Sequence, residues 1–183
     1  MFVHPPALYD FRKRILFPGP IAYTVADSTD QFIVFPIGFL SMAGYLERNG
    51  YKVAIDNLGE RMVASDTFDA ESHLRSIEAR VFAIDLHWST HCQGAVAVAE
   101  MCKRMHPESF VLLGGLTATC FHEEIALNYP FIDGVIRGEA EQALLDLLRK
   151  LEAQRSLRDV SNLTYREGGR TRTNKLERPC KSR

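Results

Sequence analysis

Apolar positions along this 183-residue chain switch repeatedly between helical and strand periods. From Gly38 to Asn49, Phe39, Leu40, Met42, Ala43 and Leu46 recur at helical spacing, and Gly50 stands where a helix-terminating glycine belongs. Lys52 to Leu58 reads as a strand. Asp69 is a candidate N-cap for a helix through Ala79, and Val81 to Leu86 is a β-rich run that ends in the polar group Asp85, His87, Ser89 and Thr90. Ala95 to Met105 is amphipathic and stops at His106-Pro107. Phe110 to Leu113 is wholly apolar and ends on Gly114-Gly115. Thr117 to Asn128 predicts a helix, Ile132 to Ile136 a strand, and Glu139 to Ala153 a helix with Leu144, Leu145, Leu147, Leu148 and Leu151 on one stripe. Asn162 to Asn174 predicts a hairpin around Gly168-Gly169.

Short apolar strands that alternate with helices predict a parallel sheet covered on both faces, because right-handed crossovers place the helices there. The expected fold is α/β: a Rossmann-like or flavodoxin-like three-layer sandwich of about five parallel strands with a C-terminal β-hairpin extension. Either Phe2 to His4 or Arg14 to Phe17 can supply the first strand.

Composition narrows the class. At 46% hydrophobic and 25% charged, the chain is not collagen-like, disordered or a disulfide scaffold. Cys92, Cys102, Cys120 and Cys180 are separated by 10, 18 and 60 positions, so no CxxC or CxxxCxxC cage for zinc or an iron-sulfur cluster exists. They read as reduced thiols. The most apolar stretch, Phe32 to Leu46, is broken by Pro36 and Gly38 and is shorter than the ~20 residues of a spanning helix. A cytoplasmic protein that neither crosses nor binds a membrane is expected. The net charge of -1 hides a split: residues 155–183 hold 9 Lys and Arg against 3 Asp and Glu, and residues 1–154 hold 13 against 20. A basic tail on an acidic body is not the footprint of a nucleic-acid binder, so no nucleic-acid partner is expected.

Ligands of open parallel sheets bind at the carboxyl ends of the strands, and the loops there carry the chemistry. After the strand at 81–86 come Asp85, His87, Trp88 and Ser89, which offer an imidazole, a hydroxyl and an aromatic plane to a ligand, or a helix cap and packing. Gly114-Gly115-Leu116-Thr117 lets the backbone approach a ligand closely and offers helix N–H groups to an anion, or simply makes a tight turn. It is neither GxGxxG nor a P-loop. Arg137-Gly138-Glu139-Ala140-Glu141 opens the last long helix, where acidic residues also suit the helix dipole.

The ordered set of these segments resembles the cobalamin (B12)-binding domain that precedes the barrel of radical S-adenosylmethionine enzymes. The matching pieces are Phe2-Val3-His4-Pro5-Pro6, Phe35 to Leu40, Ala43 to Leu46, Asn49 to Val53, Leu112 to Thr119, Asp133 to Glu141, and Asn162 to Arg166. The resemblance implies a corrinoid across the carboxyl edge, its nucleotide tail buried beside the third and fourth strands. Gly114 and Gly115 would admit the dimethylbenzimidazole, and Ser89, Thr117 and Gly138 would line the tail. Asp85, His87 and Glu139 complete the expected cofactor-binding set; no catalytic residue is expected in this chain. It also favours Phe2 to His4 as first strand, with residues 7 to 35 a loop that covers the corrin face or meets the next domain. Domain boundaries follow: 1–154 as the cobalamin-binding domain, and 155–183 as a basic hairpin and linker that leads to a radical S-adenosylmethionine barrel. The chain is then a fragment of an enzyme, foremost a methyltransferase, whose full length also uses a 4Fe-4S cluster and S-adenosylmethionine.

In one respect the chain departs from methionine-synthase-type corrinoid domains, which carry Asp-x-His-x-x-Gly after the first strand. Here Asp85-Leu86-His87 follows a later strand with Thr90 in place of the glycine. No protein histidine on cobalt is expected, with His87 the candidate if there is one. Two other readings compete: a metal-dependent hydrolase using Asp85, His87, His91 and His122, and a flavin or nucleotide binding module on the same fold.

Overall fold

The central strands are apolar on both faces because both faces are covered. The computed structural model describes residues 1–13 and 36–177. Its elements run β1 (Phe2–His4), α1 (Ile37–Arg48), β2 (Ile55–Asn57), α2 (Leu58–Ala64), α3 (Ala70–Arg75), β3 (Val81–Asp85) and a 3-10 turn (Ser89–His91). They continue with α4 (Cys92–Met105), β4 (Phe110–Gly114), α5 (Leu116–Cys120), α6 (His122–Asn128), β5 (Gly134–Ile136), α7 (Glu141–Glu152), β6 (Leu163–Glu167) and β7 (Arg170–Thr173).

One seven-stranded sheet has the order β2-β1-β3-β4-β5-β6-β7. The strands from β1 to β5 are parallel, and β6 and β7 join antiparallel. The chain leaves β1 toward β2 on one side and toward β3 on the other, so the topological switch falls between β1 and β3. The expected α/β sandwich with a hairpin extension is what forms.

Side chains alternate between two cores with period two. Phe82, Ile84, Val111, Leu113 and Val135 face α4 and α6, where Val98, Cys102 and Ile125 meet them. Val81, Ala83, Leu112 and Ile136 face α1 and α7, where Phe39, Leu46, Leu144 and Leu147 meet them. The hairpin belongs to this second core: Leu163 and Tyr165 are buried, and β6 pairs with β5 through Gly134 and Tyr165.

Several elements differ from expectation. Phe2 to His4 is the first strand, whereas Arg14 to Phe17 and most of the expected loop lie outside the described residues. The strand expected at Lys52 to Leu58 shrinks to β2, because the Asn57 side chain accepts from Glu60 N (3.0 Å) and starts α2 at once. Asp69 does cap α3, but that helix ends at Arg75, and Ile77 and Ala79 pack on the core instead. The single helix expected over Thr117 to Asn128 breaks at Phe121, which takes φ -115° and ψ 26°.

Candidate functional site

At the carboxyl edge, a cavity of about 490 Å³ opens between the sheet and helices α1 and α7. Buried Phe2, Phe39, Leu112, Ile136 and Leu144 make its interior apolar. Its polar groups come from strand ends and a helix start: Asp85, His87, Trp88, Glu139 and Glu141. Of these, His87, Trp88 and Glu139 are exposed and the other two half-buried. Among the described residues, no Lys or Arg lines it.

The paired glycines do different jobs. Gly115 has φ 110°, and a Cβ there would lie 2.7 Å from His87 N and 2.8 Å from Leu86 C. It is glycine because the β3 loop presses against it. Gly114 has no such neighbour: a Cβ would meet only Ile136 O at 3.9 Å. The open wall of the cavity is therefore Gly114.

The start of α5 does not offer its N–H groups to an anion as expected. Thr117 and Ala118 N–H donate to His87 O (3.2 Å) and Leu86 O (3.1 Å), and Thr117 Oγ1 adds a bond to His87 O (2.9 Å). Thr117 is thus a clamp on the β3 loop and does not line the cavity; neither does Ser89, which is exposed in the 3-10 turn. Thr119 joins the glycine loops: its hydroxyl donates to Gly115 O (2.8 Å) and accepts from Gly138 N (3.0 Å). Gly138 lines the cavity at φ 65°. Asn162 Nδ2 donates to Glu139 O (3.1 Å), pinning that loop to the hairpin. Arg137, of the same motif, turns away and donates to Asn174 O; burial lowers its pKa.

Sequence reasoning missed His4. Its ring is buried at the end of β1, Nδ1 lies 3.0 Å from Asp85 Oδ2, and the His91 ring stands 5.0 Å away. A polar residue closing a strand next to the switch point was the available signal. Gly94 was missed as well: a Cβ there would fall 1.7 Å from Pro6 O, so the turn after β1 sits directly on the first turn of α4.

The hydrolase reading does not survive this geometry. His122 is drawn to β6, where Nδ1 lies 3.0 Å from Thr164 Oγ1, and Asp85 is engaged by His4. Among the described residues, no group of three or more His, Cys, Asp or Glu is placed to hold a metal ion.

An apolar cavity with a glycine wall at the carboxyl edge of a parallel α/β sheet stands where such folds take small-molecule ligands, which makes this an α/β module with a candidate ligand site. Residues 23–148 match the family model of the B12 binding domain, and the chain belongs to that family. An uncharacterized methyltransferase of Pyrococcus horikoshii is 28% identical over 144 residues, which cover 79% of this chain and 30% of that protein. The anaerobic magnesium-protoporphyrin IX monomethyl ester cyclase of Rubrivivax gelatinosus is 27% identical over 131 residues, covering 68% and 22%. Two solved structures share the fold. The radical S-adenosylmethionine methyltransferase TsrM from Kitasatospora setae, with cobalamin and a 4Fe-4S cluster bound, matches at TM-score 0.68 and 13% identity, over 96% of this chain and 28% of that one. The cobalamin-dependent S-adenosylmethionine radical enzyme OxsB, with aqua-cobalamin bound, matches at TM-score 0.62 and 15% identity, over 97% and 22%. The chain thus spans 22% to 30% of the length of these proteins. Among the described residues no helix is long and apolar enough to cross a membrane.

Proposed function

We propose that this chain binds cobalamin at the carboxyl edge of its sheet and serves as the cofactor module of a radical S-adenosylmethionine enzyme, a methyltransferase foremost. The observation that carries the reading is the apolar cavity walled by Gly114, in a chain that belongs to the B12-binding family. The residues present fit the group. A cavity of about 490 Å³ falls within the ~300–1,000 Å³ of small-molecule sites, and its interior suits a flat apolar base. Gly114 and Gly138 leave room beside it; Asp85, His87 and Glu139 stand at the mouth. Gly115, Thr117 and Thr119 act indirectly by holding the β3 loop and the Gly138 loop in place. When bound, cobalamin supplies a cobalt centre suited to methyl transfer.

Residues 155–183 would lead into the barrel domain, which would bring the 4Fe-4S cluster and S-adenosylmethionine; a CxxxCxxC motif does not occur in this chain. The similarity to a curated methyltransferase supports the methyl-transfer assignment.

Hydroxocobalamin mixed with the purified chain and then desalted should leave a corrinoid absorption spectrum on the protein. The chain's one tryptophan, Trp88, lines the cavity and is 45% exposed, so its fluorescence should be quenched in the same titration. A protein that desalts colourless with unchanged emission would sink the proposal. His87→Ala should keep the spectrum of the bound corrinoid unaltered, as no histidine ligand is expected.

A further inference from the structure

The mouth of the carboxyl-edge cavity is tied to the segment that follows the hairpin, and one residue makes the tie. Asn162 is buried and holds φ 63°, a left-handed conformation that few residue types adopt at ease. We propose that Asn162 is a coupling joint: through it, cobalamin in the cavity steadies residues 174–177, the segment by which the chain leaves the sheet. The inference rests on the proposed placement of cobalamin at the carboxyl edge.

Its ground is the use of every polar group that Asn162 owns. The backbone O accepts from Arg137 N (2.9 Å), and the backbone N donates to Lys175 O (2.9 Å). The side chain repeats the bridge: Nδ2 donates to Glu139 O (3.1 Å), and Oδ1 accepts from Glu177 N (2.6 Å). One side of the joint is therefore the Arg137-Gly138-Glu139 turn, whose Gly138 and Glu139 line the cavity, and the other is the segment 174–177. Arg137 closes the circuit, as its guanidinium donates to Asn174 O. On its far side the turn hangs on Thr119, whose hydroxyl accepts from Gly138 N (3.0 Å). A ligand that contacts Gly138 or Glu139 in one position of the turn favours that position, and the bridging bonds carry the preference to 174–177. The residue type suits the task. Of the residues that visit this backbone region routinely, glycine has no side chain and ionised aspartate has no donor; asparagine alone offers a donor and an acceptor.

Residue-resolved amide hydrogen exchange of the full chain, with and without saturating hydroxocobalamin, tests the coupling. The Gly138 N–H reports the turn, and the N–H of position 162, bonded to Lys175 O, reports the segment beyond the hairpin. In the wild type both should slow together, each by about fivefold or more. Asn162→Gly keeps φ and the backbone bonds but removes the side-chain bridge, so corrinoid should still slow Gly138 and slow the N–H of position 162 markedly less. Asn162→Asp keeps an acceptor for Glu177 N and cannot donate to Glu139 O, and the same loss of response is expected. A wild type that retains corrinoid without slowing at position 162 overturns the coupling and leaves cobalamin in its cavity. Slowing at position 162 in the variants equal to that in the wild type overturns Asn162 as the joint. If no corrinoid stays on the wild-type chain after desalting, the cobalamin reading itself falls, and the coupling with it.

Discussion

The two edges of the sheet carry cavities of opposite character. The groove at the amino edge is the larger, about 870 Å³, and is lined by charged residues that include Lys52, Arg80, Lys103, Asp133 and Glu152. Much of that charge is tied into the fold. Lys103 Nζ donates to Asp133 (2.9 Å) and to Ser109 O (3.0 Å), Asp133 also accepts from Val111 N (2.7 Å), and Glu152 takes the Tyr51 hydroxyl (3.0 Å) and lies 3.7 Å from Arg80. The carboxyl-edge cavity, about 490 Å³, has an apolar interior, and among the described residues Glu139 at its mouth makes no side-chain hydrogen bond or ion pair. Volume therefore does not mark the site. What distinguishes the carboxyl edge, among the described residues, is apolar surface gathered where the loops of a parallel sheet diverge, whereas the amino edge is a seam that locks strand starts together.

The largest expected effects test the framework of the carboxyl edge. Gly94→Ala should cost about 4 kcal/mol or more, since its Cβ has nowhere to go but into Pro6 O. Gly115→Ala should cost about 3 kcal/mol, combining the strained φ with the clash on the His87 backbone. Denaturant midpoints measure both. Near-wild-type stability of Gly115→Ala would mean that the β3 loop does not press on this glycine.

Gly114 tests the cavity without the framework. Gly114→Leu should change stability by about 1 kcal/mol or less, because its Cβ makes only an ordinary contact with Ile136 O at 3.9 Å, yet reduce cobalamin affinity about 100-fold by filling the cavity. Affinity for cobinamide, which has no nucleotide tail, should hardly move. If cobalamin binds the variant as it binds the wild type, the tail lies elsewhere.

The contrast between these neighbours shows where sequence reading stops. β3 and β4 were legible because burial on both faces leaves a continuous apolar run, and Asp69 because its short side chain and the following apolar period make a capping signal. The loop after β4 was legible as a site, but Gly-Gly does not say which residue is there for dihedral freedom and which for space. That depends on Leu86 and His87 approaching from another strand. The occupied N–H groups of α5 depend on the same approach. His4 was hidden for a related reason: its partner Asp85 lies 81 positions away and meets it only through the pairing of β1 with β3. The kink at Phe121 left no trace because the helical period runs through it.

The amino edge gives a smaller effect of opposite pattern. Lys103→Met should destabilise the chain by about 1–2 kcal/mol, since the Asp133 carboxylate is left half-buried with only Val111 N as partner. Cobalamin retention should be unchanged. Weaker corrinoid binding by this variant, at a temperature where it is fully folded, would break the distinction between seam and site.

The smallest expected effect concerns pH and the hairpin. Burial, and then the Arg137 guanidinium, hold the His122 pKa below its ordinary 6.5, so the imidazole stays neutral against Thr164 while the unfolded chain's histidine takes up a proton. Between the lowered value and 6.5 the unfolded state binds more protons than the folded one. Stability therefore rises with pH through this window and falls on acidification. Asn in place of His122 keeps a polar contact with Thr164 and removes the titration, so His122→Asn should lose less stability than the wild type between about pH 7.5 and about pH 5. Denaturation curves at the two pH values measure the difference, and equal losses would show that His122 is not held neutral by the fold. Its ring bonds β6 and does not line the cavity, so cobalamin binding at the higher pH should be the same for both proteins. A change in binding there would show that the hairpin, and not the glycine wall alone, shapes the carboxyl edge.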